Sequence, residues 1–230
     1  MVHSIILRQE VPPERARRKM LRKFLFYFPG GYQGTKYQSW ERNYKWEAHV
    51  QWEKKLNQQA FRRLLQARQY VAIAKLAISI ESKTNLLFSF EKMALRDAVK
   101  TEDAAMRFAK GLYDFLHGSN ELQQRFSAYR DMLAKLPVKQ TRVLTWSVLS
   151  VFGFIAQPSI HMYLKPTVTK AAAKKYQYPF HYSSKPGWDT YQSLLEFAAL
   201  IRHDTRLSGP RDMIDLQSFI WVCGSEEYPD

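Results

Sequence analysis

A mainly helical fold follows from three features of this 230-residue chain. Apolar residues recur at intervals of three and four in one segment after another, which is the period of an amphipathic helix. Residues that stop or cap helices fall between those segments: Pro29-Gly30-Gly31, Thr101 ahead of two acids, Pro137, Pro158 and Ser208-Gly209-Pro210. Clear period-two alternation, the mark of a half-buried strand, is scarce. The expected architecture is an orthogonal or layered bundle of about ten helices, with room for one short strand pair near Ile160–Leu164.

The elements follow in order. Pro12 and Pro13 suit a helix's first turn, where a missing N–H costs nothing, and Glu14 complements the dipole. Met20, Leu21, Phe24, Leu25 and Phe28 form the apolar face of this helix, while Arg15, Arg18, Lys19, Arg22 and Lys23 line the other. Pro29 and the glycines end it. A second helix is expected over Gln38–Leu56, with Tyr37, Trp40, Tyr44 and Ala48 facing the core and Glu41, Lys45 and His49 sharing a neighbouring face. Shorter helices follow over Gln59–Gln66 and Tyr70–Ser82, then over Glu91–Val99 behind a Ser89 cap.

Thr101-Glu102-Asp103 marks the start of a helix ending near His117 and Gly118, and Ser119 caps one over Glu121–Leu136 that Pro137 stops. Val143–Ile155 is apolar and β-branched, so helix and strand compete; Val143, Trp146, Leu149 and Phe152 at helical intervals favour helix. Thr169 caps a short lysine-rich helix to Tyr176, and Tyr178–Gly187 reads as loop. Asp189 with Gln192 opens a long helix to Thr205. The last helix is apolar almost all round, from Met213 to Trp221, and should be buried.

Composition narrows the function. The hydrophobic fraction is 46% and the charged fraction 24%, the balance of a chain that buries a core. One domain is expected over 1–230, with a soft boundary at 137–140 between a basic helical part and a C-terminal helical part. The net charge of +14 exceeds what solubility needs and points to a polyanionic partner, nucleic acid first. No Asp precedes Asp97, so the first third carries Glu only and is strongly basic. A single cysteine, Cys223, excludes a disulfide framework or a thiolate zinc cluster from this chain alone and suits a reducing cytoplasm. Met1–Glu10 has too short an apolar run for a signal peptide. Val143–Ala156, interrupted by Thr145, Ser147, Ser150 and Gly153, falls short of the ~20 apolar residues a spanning helix needs. A soluble, cytoplasmic protein with no membrane insertion is expected.

Four constellations compete for the chemistry. Gly30-Gly31-Tyr32-Gln33-Gly34-Thr35-Lys36 holds the ingredients of a phosphate loop, but Thr precedes Lys and a helix precedes the turn, so a nucleotide loop is not expected. A glycine turn between two helices can present N–H groups to a DNA phosphate, as in a helix-hairpin-helix, although Gly34 falls off that motif's glycine spacing. The plainer expectation is a helix–helix connection with glycine at its cap. The second constellation is the aromatic-basic helix, where Arg42 and Lys45 interleave with Trp46 and Trp52. The third is Lys165, Lys170, Lys174, Lys175 and Lys185 among Tyr178 and Tyr182, in a setting of proline-bounded loops. In both, cations would contact phosphates while rings stack on bases or pack into the core.

The fourth constellation is acidic. Asp212 and Asp215 lie one turn apart and could divide acid and base roles, with Glu41 and His49 as further weak candidates. The structural alternative makes Asp212 a stabiliser of its helix N-terminus and pairs Asp215 with an arginine such as Arg202 or Arg206. Asp215 needs some partner, because it interrupts a buried apolar run. The six His are scattered, so neither a metal site nor a cofactor is expected. The leading expectation is a helical protein that binds nucleic acid through Arg15, Arg18, Lys19, Arg22, Arg42, Lys45 and the Lys165–Lys185 region. Its rivals are an enzyme acting on nucleic acid or a phosphorylated small molecule, and a non-catalytic adaptor for an acidic protein.

Overall fold

The computed structural model describes residues 12–230. Helix α1 (Glu14–Tyr27) closes where the Phe28 N–H bonds to the Phe24 carbonyl, 2.9 Å away. Gly31 follows at φ +55°, a conformation that favours glycine, and opens a short 3-10 turn (Gly31–Gln33). Helix α2 (Thr35–Tyr37), a π-helical turn (Gln38–Arg42) and α3 (Asn43–Leu56) then continue as one rod. After it come α4 (Gln58–Gln66), α5 (Tyr70–Glu81), α6 (Ser89–Ala98), α7 (Glu102–His117) and α8 (Leu122–Ala134). The chain finishes with α9 (Trp146–Ala156), α10 (Pro166–Tyr176), α11 (Trp188–Asp204) and α12 (Met213–Gly224).

The fold is mainly α, a bundle of eleven helical rods, and no strand occurs among the described residues. The segment 160–164 pairs with no strand. Ile160 and His161 close a turn, their N–H groups donating to the Gln157 carbonyl at 2.9 and 3.0 Å, while the Met162 N–H donates to Tyr191 Oη at 3.1 Å and the Leu164 N–H to Ser150 Oγ at 3.0 Å. With those groups satisfied, a second strand is not needed.

The Thr101 cap sits where the sequence placed it, Oγ1 accepting the Ala104 N–H. Helix α9 begins at Trp146 rather than Val143, because Thr145 Oγ1 accepts the Val148 N–H and caps it. Others shift. At α6 the cap position is Phe88, whose N–H donates to the Glu91 carboxylate at 3.0 Å, rather than Ser89. Glu121, not Ser119, precedes α8, and Gly187, not Asp189, precedes α11. Thr169 lies inside α10, because Pro166 already serves as its first residue.

Two helices form the centre. Every residue of α9 is buried. Helix α12 packs against α10, α1, α11 and the π turn, and its end lies directly on the α10 backbone. A Cβ added at Gly224 would sit 2.1 Å from the Val168 carbonyl oxygen, so only glycine permits this approach. The buried apolar side chains form one cluster running from Met20 to Tyr228, and it includes residues from both sides of 137–140.

Candidate nucleic-acid interface

Cations occupy two settings, one interior and one exposed. The interior set is organised by the π turn. An extra residue in that turn shifts the inward face, so Glu41 and Arg42 are both buried while Trp40 is 57% exposed. This corrects the expectation that Trp40 packs in the core. The buried guanidinium of Arg42 grips Asp212 with two parallel bonds, Nη1 to Oδ1 at 2.9 Å and Nη2 to Oδ2 at 2.7 Å. Nη1 also reaches Asp215 Oδ1 at 2.8 Å.

Asp215 has 0% exposure and both its oxygens are satisfied. Oδ1 accepts from Arg42, from Tyr37 Oη at 2.7 Å and from Arg211 Nη2 at 3.1 Å. Oδ2 accepts the Arg211 backbone N–H at 2.8 Å and Nε at 2.9 Å. Burial alone would raise its pKa, but hydrogen bonds from Arg211 and Tyr37 and the charge of Arg42 outweigh burial and hold it below the ordinary value. The partners of Asp215 are therefore Arg42 and Arg211, not Arg202 or Arg206. Asp212 also caps α12, its Oδ1 accepting the Ile214 and Asp215 N–H groups.

Beside this network lies a second buried pair. Lys45, 2% exposed, donates to Glu41 Oε2 at 3.1 Å and to Ser218 Oγ at 2.9 Å, while Tyr228 Oη donates to Glu41 Oε1 at 2.6 Å. Burial pulls the Lys45 pKa down, yet Tyr44 and Glu41 more than compensate and it stands raised. His49 is half-buried; its Nδ1 lies 2.9 Å from the Ile155 carbonyl, which fixes the ring proton on that nitrogen. Arg42 with Asp212 and Asp215, and Lys45 with Glu41 and Ser218, thus form two adjacent networks that tie the rod of the π turn to α12 and to Tyr228. The expectation that Arg42 and Lys45 meet phosphate from outside is revised by their burial. Among the described residues no group of His, Cys, Asp and Glu is arranged to hold a metal ion.

The exposed set begins on α1. Arg15, Arg18, Lys19 and Arg22 all face solvent. Arg18 pairs with Glu14 at 2.5 Å, and a shallow groove of about 530 Å³ runs past Arg15, Arg18 and Arg22 over Leu21 and Leu25. Helix α1 packs beside α10. One carboxylate joins them: Asp230 Oδ1 accepts from Lys23 of α1 at 2.6 Å and from Lys175 of α10 at 2.9 Å, and these hydrogen bonds hold its pKa down at about 2. Further along α10, Lys170 and Lys174 are exposed, and Lys170 Nζ lies 4.7 Å over the Tyr182 ring. Lys185 is exposed on the following loop. Among the described residues Arg15, Lys19, Arg22, Lys170, Lys174 and Lys185 make no ion pair.

The remaining two members of the predicted set sit differently. Tyr178 is buried, its ring stacked on Phe197 at 4.6 Å and its hydroxyl donating to the Ser193 carbonyl. Lys165 is half-buried, with Nζ 3.2 Å from the Leu86 carbonyl and 3.4 Å over the Phe88 ring; burial lowers its pKa. Sequence reasoning missed Phe88 and Phe90, which stand outside the core beside that lysine. The signal was present: they flank Ser89 at a helix start, away from the apolar stripe of Leu95 and Ala98.

No family model matches the chain, and neither a curated protein nor a solved structure matches it. Among the described residues no helix is long and apolar enough to cross a membrane.

Proposed function

We propose that the protein binds nucleic acid through the adjoining outer faces of α1 and α10. The observation that carries this reading is the division of the cations. Arg42 and Lys45 are paired with interior acids, whereas Arg15, Lys19, Arg22, Lys170 and Lys174 stand exposed and, among the described residues, without a carboxylate, on two helices in contact. A row of unpaired cations is what a phosphate backbone recognises, and releasing its counterions supplies the affinity. Binding is favoured over catalysis because Asp212 and Asp215, the paired acids, spend their lone pairs on internal donors and line neither of the clefts at α5–α6 and α1.

Fluorescence anisotropy with labelled oligonucleotides tests it. Affinity should fall steeply with salt, with a log–log slope of roughly −0.7 per neutralised phosphate on a single strand. Reversing Arg15, Arg18, Lys19 and Arg22 to Glu should weaken binding and flatten that slope; Lys170→Glu with Lys174→Glu should do the same independently. A wild-type protein that binds no DNA or RNA at low salt would sink the proposal. Equal affinity for poly-glutamate and for oligonucleotides would instead favour the adaptor for an acidic protein.

A further inference from the structure

We propose that Phe88 and Phe90 form a seat on which an unpaired nucleobase stacks, so that this protein takes single-stranded nucleic acid in preference to duplex. The inference rests on the nucleic-acid reading above and adds the base contact that phosphate-binding cations do not supply.

The local sequence Phe88-Ser89-Phe90-Glu91 dictates the geometry. Glu91 turns inward, accepting the Phe88 N–H at 3.0 Å and the Thr145 hydroxyl at 2.7 Å, and so anchors the first turn of α6. With Glu91 committed to the interior, Phe88 and Phe90 project outward, 54% and 49% exposed, although most of the chain's phenylalanines are buried. The two rings lie parallel to within 20° at a centroid separation of 5.6 Å. That is an offset stack, a geometry that another flat ring can extend.

The seat is also held in place. Lys165 Nζ lies 3.4 Å over the Phe88 ring and is tied in turn to the Leu86 carbonyl, so the ammonium holds one face of that ring and a base stacks on the ring surface of the pair that stays exposed. Lys165 is the residue from which α10 starts. Counting about 1.5 Å per residue, Lys165 lies about 14 Å from Lys174 along that helix, with Lys170 between them. The aromatic pair therefore stands at the N-terminal end of the helix whose exposed Lys170 and Lys174 contribute to the proposed phosphate track. A cationic groove ending in exposed stacked rings is the arrangement used for single strands, since every base offers a π face and only an unpaired base can reach the rings. Phenylalanine has no side-chain hydrogen-bond group, so the seat should be tolerant of base identity.

The test compares the full-length wild type with a Phe88→Leu, Phe90→Leu double variant, which keeps apolar bulk but removes the π faces. Four labelled probes are titrated at one low salt: single-stranded DNA, single-stranded RNA, the same DNA as duplex, and an abasic strand of equal length. On the single strands the variant should bind about 5- to 150-fold more weakly, the cost of losing one stacked base. On the duplex and the abasic strand the two proteins should agree within about twofold, and the salt slope should not change. A second variant, Phe88→Trp, should retain single-strand affinity and show quenching of its added indole on binding. Unchanged single-strand affinity in the leucine variant overturns the base seat and marks the pair as an apolar contact for a protein. Equal losses on the abasic strand overturn it too. In either case intact salt-dependent binding leaves the phosphate reading standing, whereas a wild type that binds none of the four probes removes both.

Discussion

Arg15, Arg18, Lys19 and Arg22 on α1 stand in solvent, while Arg42 and Lys45 on the next rod lie sealed inside the protein. Both stretches are dense in Arg and Lys and both are helical, so neither local composition nor secondary structure separates them. For Arg42, acids from far along the chain do; Lys45 pairs with Glu41 four residues away, a carboxylate that the Tyr228 hydroxyl holds inside. The π turn faces α12, where Asp212 and Asp215 supply two carboxylates within 3 Å of the Arg42 guanidinium. Among the described residues the outer face of α1 meets no such element. A cation is drawn inward when a partner compensates its desolvation, and otherwise stays where water or an anionic ligand can reach it.

The comparison breaks most visibly if Asp215 is removed. Asp215→Ala leaves the buried Arg42 and the exposed Arg211 without their shared counter-charge, and breaking the buried Arg42 pair costs about 3–5 kcal/mol. Urea unfolding should show a midpoint shift of that size; a loss below about 1 kcal/mol would mean the network carries little of the fold. The pH response has a definite sign. Because the folded pKa of Asp215 is depressed, its contribution is complete above the unfolded value of 3.8 and disappears as pH falls through the lower folded value. The alanine variant should lack that part of the acid limb.

His161 sharpens the interior side of the comparison with a titrating group that has no counter-charge. It is fully buried, its Nδ1 lies 3.2 Å from Tyr191 Oη, and burial together with Arg125 pushes its pKa down to about 3. The unfolded chain protonates this ring near its model value of 6.5, the folded chain only near 3, so stability drains away as pH falls across that window. The expected loss is on the order of 4 kcal/mol by pH 3. His161→Leu should flatten stability against pH between those limits. An unchanged profile would assign that limb to other groups.

Helix α12 carries the ionic network and α10 the exposed lysines, and they touch at Gly224. Gly224→Ala forces a Cβ against the Val168 carbonyl and the Ala172 amide nitrogen, 2.9 Å away, so the helices must separate. Overpacking of this kind costs about 1–3 kcal/mol. If the two regions are distinct in function, the variant should lose stability while keeping the salt slope of binding; a changed slope would show that the interior sets the surface geometry.

How much of this was legible in the sequence depends on which neighbour decides the outcome. Helices governed by their own residues were readable: the Thr101 cap, the proline stops, the apolar face of α1 and the all-round apolar α12 sit as the sequence predicts. The burial of α12 was legible for the same reason, and with it the need of Asp215 for a partner. Arg211, four residues before it, lay within helical reach, but the buried partner Arg42 was not legible, because it is 173 residues away and reaches Asp215 only through an extra residue in the π turn. That residue also reversed the expected burial of Trp40. Tyr178 was misplaced for a similar reason: it lies just past a helix end, and its burial depends on Phe197 of α11.

The smallest expected change in stability belongs to the exposed face and tests the comparison most directly. Arg15→Glu, Arg18→Glu, Lys19→Glu and Arg22→Glu together remove one surface pair, Arg18 with Glu14, and no buried contact. Exposed pairs contribute about 0–1 kcal/mol, and each substitution away from buried features should shift stability by no more than about 0.5 kcal/mol. Lys23 is the internal control on the same helix: it is buried, and Lys23→Ala removes one of two donors to Asp230, so it should destabilise more than any single exposed reversal. If the four reversals leave the urea midpoint nearly unchanged while nucleic-acid binding collapses, the outer face of α1 is kept for a partner. If they unfold the protein, these cations hold the fold together after all, and the contrast between the two helices is gone.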